Sequence, residues 1–175
     1  MKAGVAQPES ATTAQARAID AGEERVMGGH EERMVDGILF SCDRARLDVG
    51  AIHEFLSRDS YWVPGIHRNL VERSIASSLC FGGYDGTRQI AFARVVTDGV
   101  GFAYLCDVFV LPDARGRGLS KRMMAYVMAH PDLQRIRRFV LATRDAHELY
   151  AKYGFTPLTH PHRFMERYDP DALSR

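Results

Sequence analysis

Arg115-Gly116-Arg117-Gly118-Leu119-Ser120 combines two glycines and two arginines in six residues. An apolar run, residues 102–111, leads into it. Lys121-Arg122-Met123-Met124-Ala125-Tyr126-Val127-Met128 follows, and with Leu119 it carries apolar residues at helical spacing. Glycine lets a backbone approach a ligand closely. A helix N-terminus offers unpaired N–H groups and a partial positive charge. Strand, bare turn and helix start together predict a seat for a pyrophosphate-like anion, with arginine charge to spare.

A second segment reads Thr143-Arg144-Asp145-Ala146-His147-Glu148-Leu149-Tyr150-Ala151-Lys152-Tyr153-Gly154-Phe155. Arg115-x-x-Gly118-x-Ser120 resembles the Arg/Gln-x-x-Gly-x-Gly/Ala signature of the GNAT superfamily of N-acetyltransferases. The later segment resembles that superfamily's Asn-x-x-Ala-x-x-Leu-Tyr-x-x-x-Gly-Phe. Ala146, Leu149, Tyr150, Gly154 and Phe155 fall in register, while Ser120 and Thr143 depart from the usual residues. The two motifs come in the expected order, with one helix and one strand between them.

The resemblance covers roughly residues 36–168. It implies an α/β fold of the GNAT kind: a mixed, mostly antiparallel central sheet flanked by helices, with a splayed central strand. It implies acetyl-CoA as co-substrate and transfer of its acetyl group to a primary amine. It places the pyrophosphate on Arg115, Gly116, Arg117, Gly118, Leu119 and Ser120, with Thr143 also on the cofactor. It lays the pantetheine arm along Val108, Phe109 and Val110.

Acetyl transfer from a thioester to an amine makes four demands. The co-substrate must be held and aligned. The amine must lose a proton, since a lysine-like ammonium has a pKa of about 10.4. The oxyanion needs a donor, and the leaving thiolate a proton. Tyr150 matches the superfamily's usual general acid; the plainer reading is that it packs against the cofactor. Asp107 is an acid in an otherwise apolar run, which is costly without a partner or a task. Tyr104-Leu105-Cys106-Asp107-Val108-Phe109-Val110 resembles the Leu-Glu-Asp-Phe-Phe-Val strand of polyamine acetyltransferases, with Cys106 in place of the Glu. Asp107 is therefore a candidate base acting through water, a binder of a cationic acceptor, or a strand-end salt bridge. Tyr61 and Trp62 are candidates for the acceptor pocket, with a core plug as the alternative for Trp62.

No cysteine falls in the motif segment near Tyr150, so direct attack in a ternary complex is the expected mechanism. Two other readings stay open: a non-catalytic acyl-CoA sensor, and a protein or peptide N-acetyltransferase. Dimers are frequent in the superfamily, so a homodimer is the expectation from resemblance.

The elements that must position these residues can be sketched. At 175 residues a single globular domain is expected, 46% hydrophobic and 26% charged. A net charge of +1 does not argue for nucleic-acid or membrane partners. Cys42, Cys80 and Cys106 read as reduced core residues, and the histidine spacing implies no metal site. A cytoplasmic location is expected, since apolar runs are broken by Arg94 and Asp107 and the N-terminus carries no apolar leader. Residues 1–35 hold no aromatic and are expected to form a mobile N-terminal extension ahead of a 36–175 acetyltransferase domain. Strands are predicted at 38–42, 79–84, 89–97, 102–111, 138–143 and 164–168. Helices are predicted after Asp48, from Ile66, after the glycine turn, and after a capping box of Asp145 with Glu148.

Overall fold

A computed structural model describes residues 32–173, so residues 1–31 of the predicted extension lie outside the described residues. Six strands form one sheet in chain order: β1 (Arg33–Val35), β2 (Ile38–Ser41), β3 (Leu79–Asp85), β4 (Arg88–Thr97), β5 (Phe102–Val110) and β6 (Arg138–Leu141). All neighbours are antiparallel except β5 and β6, which are parallel. The sheet begins at Arg33, three residues inside the segment predicted to be an extension, because Arg33–Val35 pairs with Ile38–Phe40.

Helices cover both faces. On one, α1 (Val49–Glu54) continues into a wider π turn over Phe55–Asp59, and α2 (Arg68–Ala76) follows. Asp48 caps α1 by accepting from the Ala51 N–H at 2.9 Å. Ile52, Phe55, Leu56, Val71 and Ile75 from this layer pack on Cys80, Phe92 and Phe109 of the sheet. On the other face lie α3 (Leu119–Met128) and α4 (His147–Ala151). Leu119, Met123, Met124, Tyr126 and Val127 of α3 are buried there, against Phe40, Phe81, Ala93 and Leu105. Burying five such side chains at about 1.5–3 kcal/mol each fixes the helix whose N-terminus forms the predicted seat.

Asp107 sits where the sheet changes phase. Arg94 pairs with Cys106 and Phe92 with Phe109, so Ala93 faces two residues of β5, a β-bulge. Asp107 takes φ +52°, the left-handed region that Asp tolerates better than most residues. Ahead of the bulge Ala103 and Leu105 face the α3 layer; beyond it Val108 and Val110 do. One extra residue thus keeps both halves of β5 packed while bending it. Pairing with β6 ends at Leu105↔Leu141, and β5 runs on to Val110 paired with β4 only. The sheet opens there, as the splayed strand required.

Two predicted elements differ. The chain makes no strand over 164–168, and Met165 is 97% exposed. β propensity describes fit to a pleated, half-buried surface, and this segment has no such partner. Arg138, at the start of β6, instead places its guanidinium over the Phe164 ring, 5.1 Å from its centroid. With nothing paired beyond it, β6 is half-buried past Arg138. The cap of α4 also differs. Ala146 is the N-cap residue and the Thr143 hydroxyl accepts its N–H at 3.1 Å, while Asp145 turns outward beside Arg144.

A cleft at the splayed strand

The glycine turn has the conformation its sequence demands. Gly116 (φ +78°) and Gly118 (φ +72°) are both left-handed, and Gly118 is the N-cap of α3. The helix begins with Arg122 N–H on the Gly118 carbonyl, which leaves the N–H groups of the first turn without intrahelical acceptors. Arg115 folds back over the turn, its Nε donating to the Val110 carbonyl at 3.1 Å. Arg117 does not point the same way: it pairs with Asp85 at 3.0 Å on the surface. Its side-chain charge is held at the edge of the seat.

Two cavities meet at the splay. The first, about 480 Å³, runs from Arg115, Gly116, Gly118, Leu119 and Ser120 along Val108–Val110 to Tyr150. The second, about 390 Å³, lies between the diverging ends of β5 and β6, against Cys106, Asp107, Val108, Thr143 and Tyr150. Tyr61, Trp62, Val108 and Tyr150 line both. Thr143, expected beside the cofactor, lines the second cavity and caps α4.

Tyr150 is buried, 9% exposed, with its ring against Phe155. Its hydroxyl makes no hydrogen bond among the described residues. Burial first, then Tyr61 and Asp145, push its pKa up to about 12. It therefore keeps its proton at any physiological pH.

Both oxygens of Asp107 accept hydrogen bonds. One carboxylate oxygen accepts from Arg94 Nε at 2.7 Å and the other from Trp62 Nε1 at 3.1 Å. The salt-bridge reading is what the geometry contains, and the pair is buried, at 16% and 8% side-chain exposure. Trp62 is tied down by this bond and by Phe55 and Tyr61. It is both a plug on the α1 layer and a wall of the cleft. Tyr61 roofs the opening: its hydroxyl accepts the Arg144 N–H at 3.2 Å, and the Arg144 guanidinium lies 3.8 Å from its ring centroid.

Sequence reasoning missed three residues. Arg94 is the cation in the apolar middle of β4, and the lone acid of the adjoining strand, Asp107, was its natural partner. Cys106 shares a cavity with Tyr150, although it lies far from it in sequence. Burial, then Asp107, push its thiol up to about 12, so it is not an activated nucleophile. Arg144 sits inside the later motif at a variable position, which offered no signal.

Comparison with known proteins agrees with this geometry. An acetyltransferase (GNAT) domain model matches residues 76–157, both motifs included. A Gibberella zeae protein named as a candidate acetyltransferase is 34% identical over 134 residues, 65% of this chain and 76% of that protein. A Xanthomonas campestris pv. campestris crystal structure, described as a candidate acetyltransferase of the GNAT family, is 57% identical. It covers 79% of this chain and 97% of its own, with a TM-score of 0.76.

The chain belongs to the GNAT family of acetyltransferases.

As a GNAT acetyltransferase it is an acyltransferase. A GNAT acetyltransferase of Elizabethkingia anophelis, solved with acetyl-CoA bound, shares the fold at 14% identity. It covers 75% of this chain and 88% of its own, with a TM-score of 0.54. Among the described residues no group of three His, Cys, Asp or Glu could hold a metal, and no helix is long and apolar enough to cross a membrane.

Proposed function

We propose that this GNAT protein transfers the acetyl group of acetyl-CoA to a primary amine of a small molecule, by direct attack in a ternary complex. The observation that carries this reading is the meeting of two cavities at Tyr150, one leading from a phosphate seat and one open to a second reactant.

The residues divide the work. The first-turn N–H groups of α3, with Gly116, Gly118, Leu119, Ser120 and Arg115, receive the pyrophosphate. The backbone of Arg117 belongs to the same turn, and its side chain adds only distant charge. The β6-facing edge of β5 from Val108 through Phe109 to Val110 has no strand neighbour and takes the pantetheine arm, with the Val110 carbonyl already accepting from Arg115. N–H groups on that edge are the donors available to the thioester oxygen.

The amine lone pair forms the new N–C bond as the C–S bond breaks. Tyr150 gives its proton to the departing thiolate, and the amine's proton leaves to water. Asp107 holds Trp62 and Arg94 in place and faces the acceptor side, and a base role for it runs through water. Tyr61 and Trp62 wall a cavity of about 390 Å³ under the Tyr61–Arg144 contact. That volume suits a small amine and lies in the usual range for ligand pockets. The acetyl-CoA bound by the Elizabethkingia neighbour supports the co-substrate. Cys106 in the cavity does not argue for an acetyl-enzyme, because its thiol is held neutral.

The test is incubation of purified protein with acetyl-CoA and a panel of amines, reading acetylated product and free CoA by mass. Acceptor-dependent product supports the reading. Saturable acetyl-CoA binding with no product from any amine would contradict it.

A further inference from the structure

The cleft has a neighbouring chamber that the acetyl-transfer chemistry does not use. It measures about 520 Å³ and lies against α2, with Ile66, Leu70, Arg73, Ser74, Arg94 and Asp107 among its walls. Asp107 is the one residue that also lines the cavity holding Tyr150. Asp107 is therefore the point at which the two spaces adjoin.

Among the described residues the charged lining of this chamber is Arg73, Arg94 and one carboxylate, Asp107. Arg94 donates Nε to Asp107 and Nη1 to the Ser78 hydroxyl at 3.0 Å. Its Nη2 makes no hydrogen bond among the described residues. A guanidinium carries five donors in a planar fork, and leaving part of it unused in a half-dry site is costly unless a ligand or water fills it. Arg73 makes no ion pair among the described residues. Arg73, at an exposed position on α2, lines the same chamber.

We propose that this chamber is an anion subsite and that the acceptor is an amino-acid-like amine carrying a carboxylate. The inference rests on the acetyl-transfer reading and narrows its substrate class. The acceptor's carboxylate sits on Arg73 and Arg94, where planar forks match carboxylate oxygens. Its amine passes Asp107 toward Tyr150. Each charge of the zwitterion then meets its opposite. A purely cationic acceptor would add positive charge to a chamber that already has an excess of it. Cys106 also withholds the second carboxylate that a polyamine would use. The apolar walls, Ile66 and Leu70 in this chamber and Tyr61 and Trp62 in the cleft, favour an apolar side chain on the acceptor.

The test reads binding of reaction products, so it does not need turnover. With CoA present, N-acetyl-phenylalanine, N-acetyl-leucine and N-acetyl-methionine are titrated calorimetrically, each against its neutral carboxamide. At least one carboxylate is expected to bind tenfold or more tightly than its amide. Arg73→Gln, at an exposed position, and Arg94→Lys, which keeps a charge beside Asp107, should each remove that preference. Equal binding of carboxylate and amide, no binding of either, or a preference that survives both substitutions would overturn the proposal. A preserved carboxylate preference without acetyl transfer to any amine would overturn the assigned reaction and leave the anion subsite standing.

Discussion

Asp107 and Arg94 form a buried ion pair, 2.7 Å from Oδ2 to Nε, at the bulge where β5 leaves β6. The pair joins sheet geometry to site chemistry. The bulge turns Asp107 toward Trp62 and Arg94, and those bonds hold it in a left-handed conformation that costs energy. Removing one partner of a buried pair leaves a bare charge.

Asp107→Ala should therefore destabilise the fold by about 3–5 kcal/mol in urea denaturation. Asp107→Asn should cost less, because Asn tolerates the same φ and still accepts hydrogen bonds. Combining it with Arg94→Met should recover part of the loss. A cost for Asp107→Ala of under about 1 kcal/mol, the range of a surface ion pair, would show that the pair is not buried as described.

Gly118→Ala separates backbone strain from crowding. A Cβ there meets no atom within 4 Å, so its cost comes from the left-handed φ of +72°. A loss of about 1–2 kcal/mol in stability is expected. Acetyl-CoA affinity should also fall tenfold or more, since the methyl enters the phosphate seat. Gly86→Ala, at φ +60° in the β3–β4 hairpin and equally uncrowded, is the control. It should cost similar stability and leave affinity unchanged.

Alkaline pH should unfold the protein through groups buried in neutral form. Burial pushes the Cys80 and Cys106 thiols up from 9.0 and the Tyr150 phenol up from 10.0, each to about 12. A raised folded pKa means that the fold favours the protonated form. This stability is fully present below about pH 9 and is lost as pH climbs through about 12. The melting temperature should hold between pH 7 and 9, then fall. Cys106→Ala should flatten part of the fall. A melting temperature that keeps rising from pH 9 to 11 would contradict the sign.

Cys106→Ala should also retain acetyl transfer within a few-fold, and intact mass after incubation with acetyl-CoA should show no acetyl adduct at this position. Slow alkylation of Cys106 near pH 8 follows from the same neutral thiol.

Much of the site could be read in the sequence because local rules dictate it. The glycines at 116 and 118 announce a turn with positive φ, Asp48 announces a helix start, and Asp85-Gly86 a hairpin. What stayed hidden depends on partners distant in sequence. The splayed strand came from the family resemblance alone: around Asp107 the apolar residues on both sides hide the one-residue phase slip that makes the bulge. Arg94 meets Asp107, and Tyr61 meets Arg144, only across strands and loops. Residues 164–168 have strand-like composition but lack a paired neighbour to make it a strand. Asp145 fits a capping pattern, yet the Thr143 hydroxyl takes the bond.

In the proposed mechanism Tyr150 supplies the proton to the leaving thiolate where the two cavities meet. Tyr150→Phe tests it most directly, with acetyl-CoA affinity and rate of acetyl transfer measured on the same preparation. Loss of the hydroxyl should lower kcat by about 10²–10⁴-fold, the usual worth of a positioned acid, with Kd for acetyl-CoA changed less than about threefold. An unchanged kcat, or a loss confined to acetyl-CoA affinity, would contradict the account and leave Tyr150 as a packing residue.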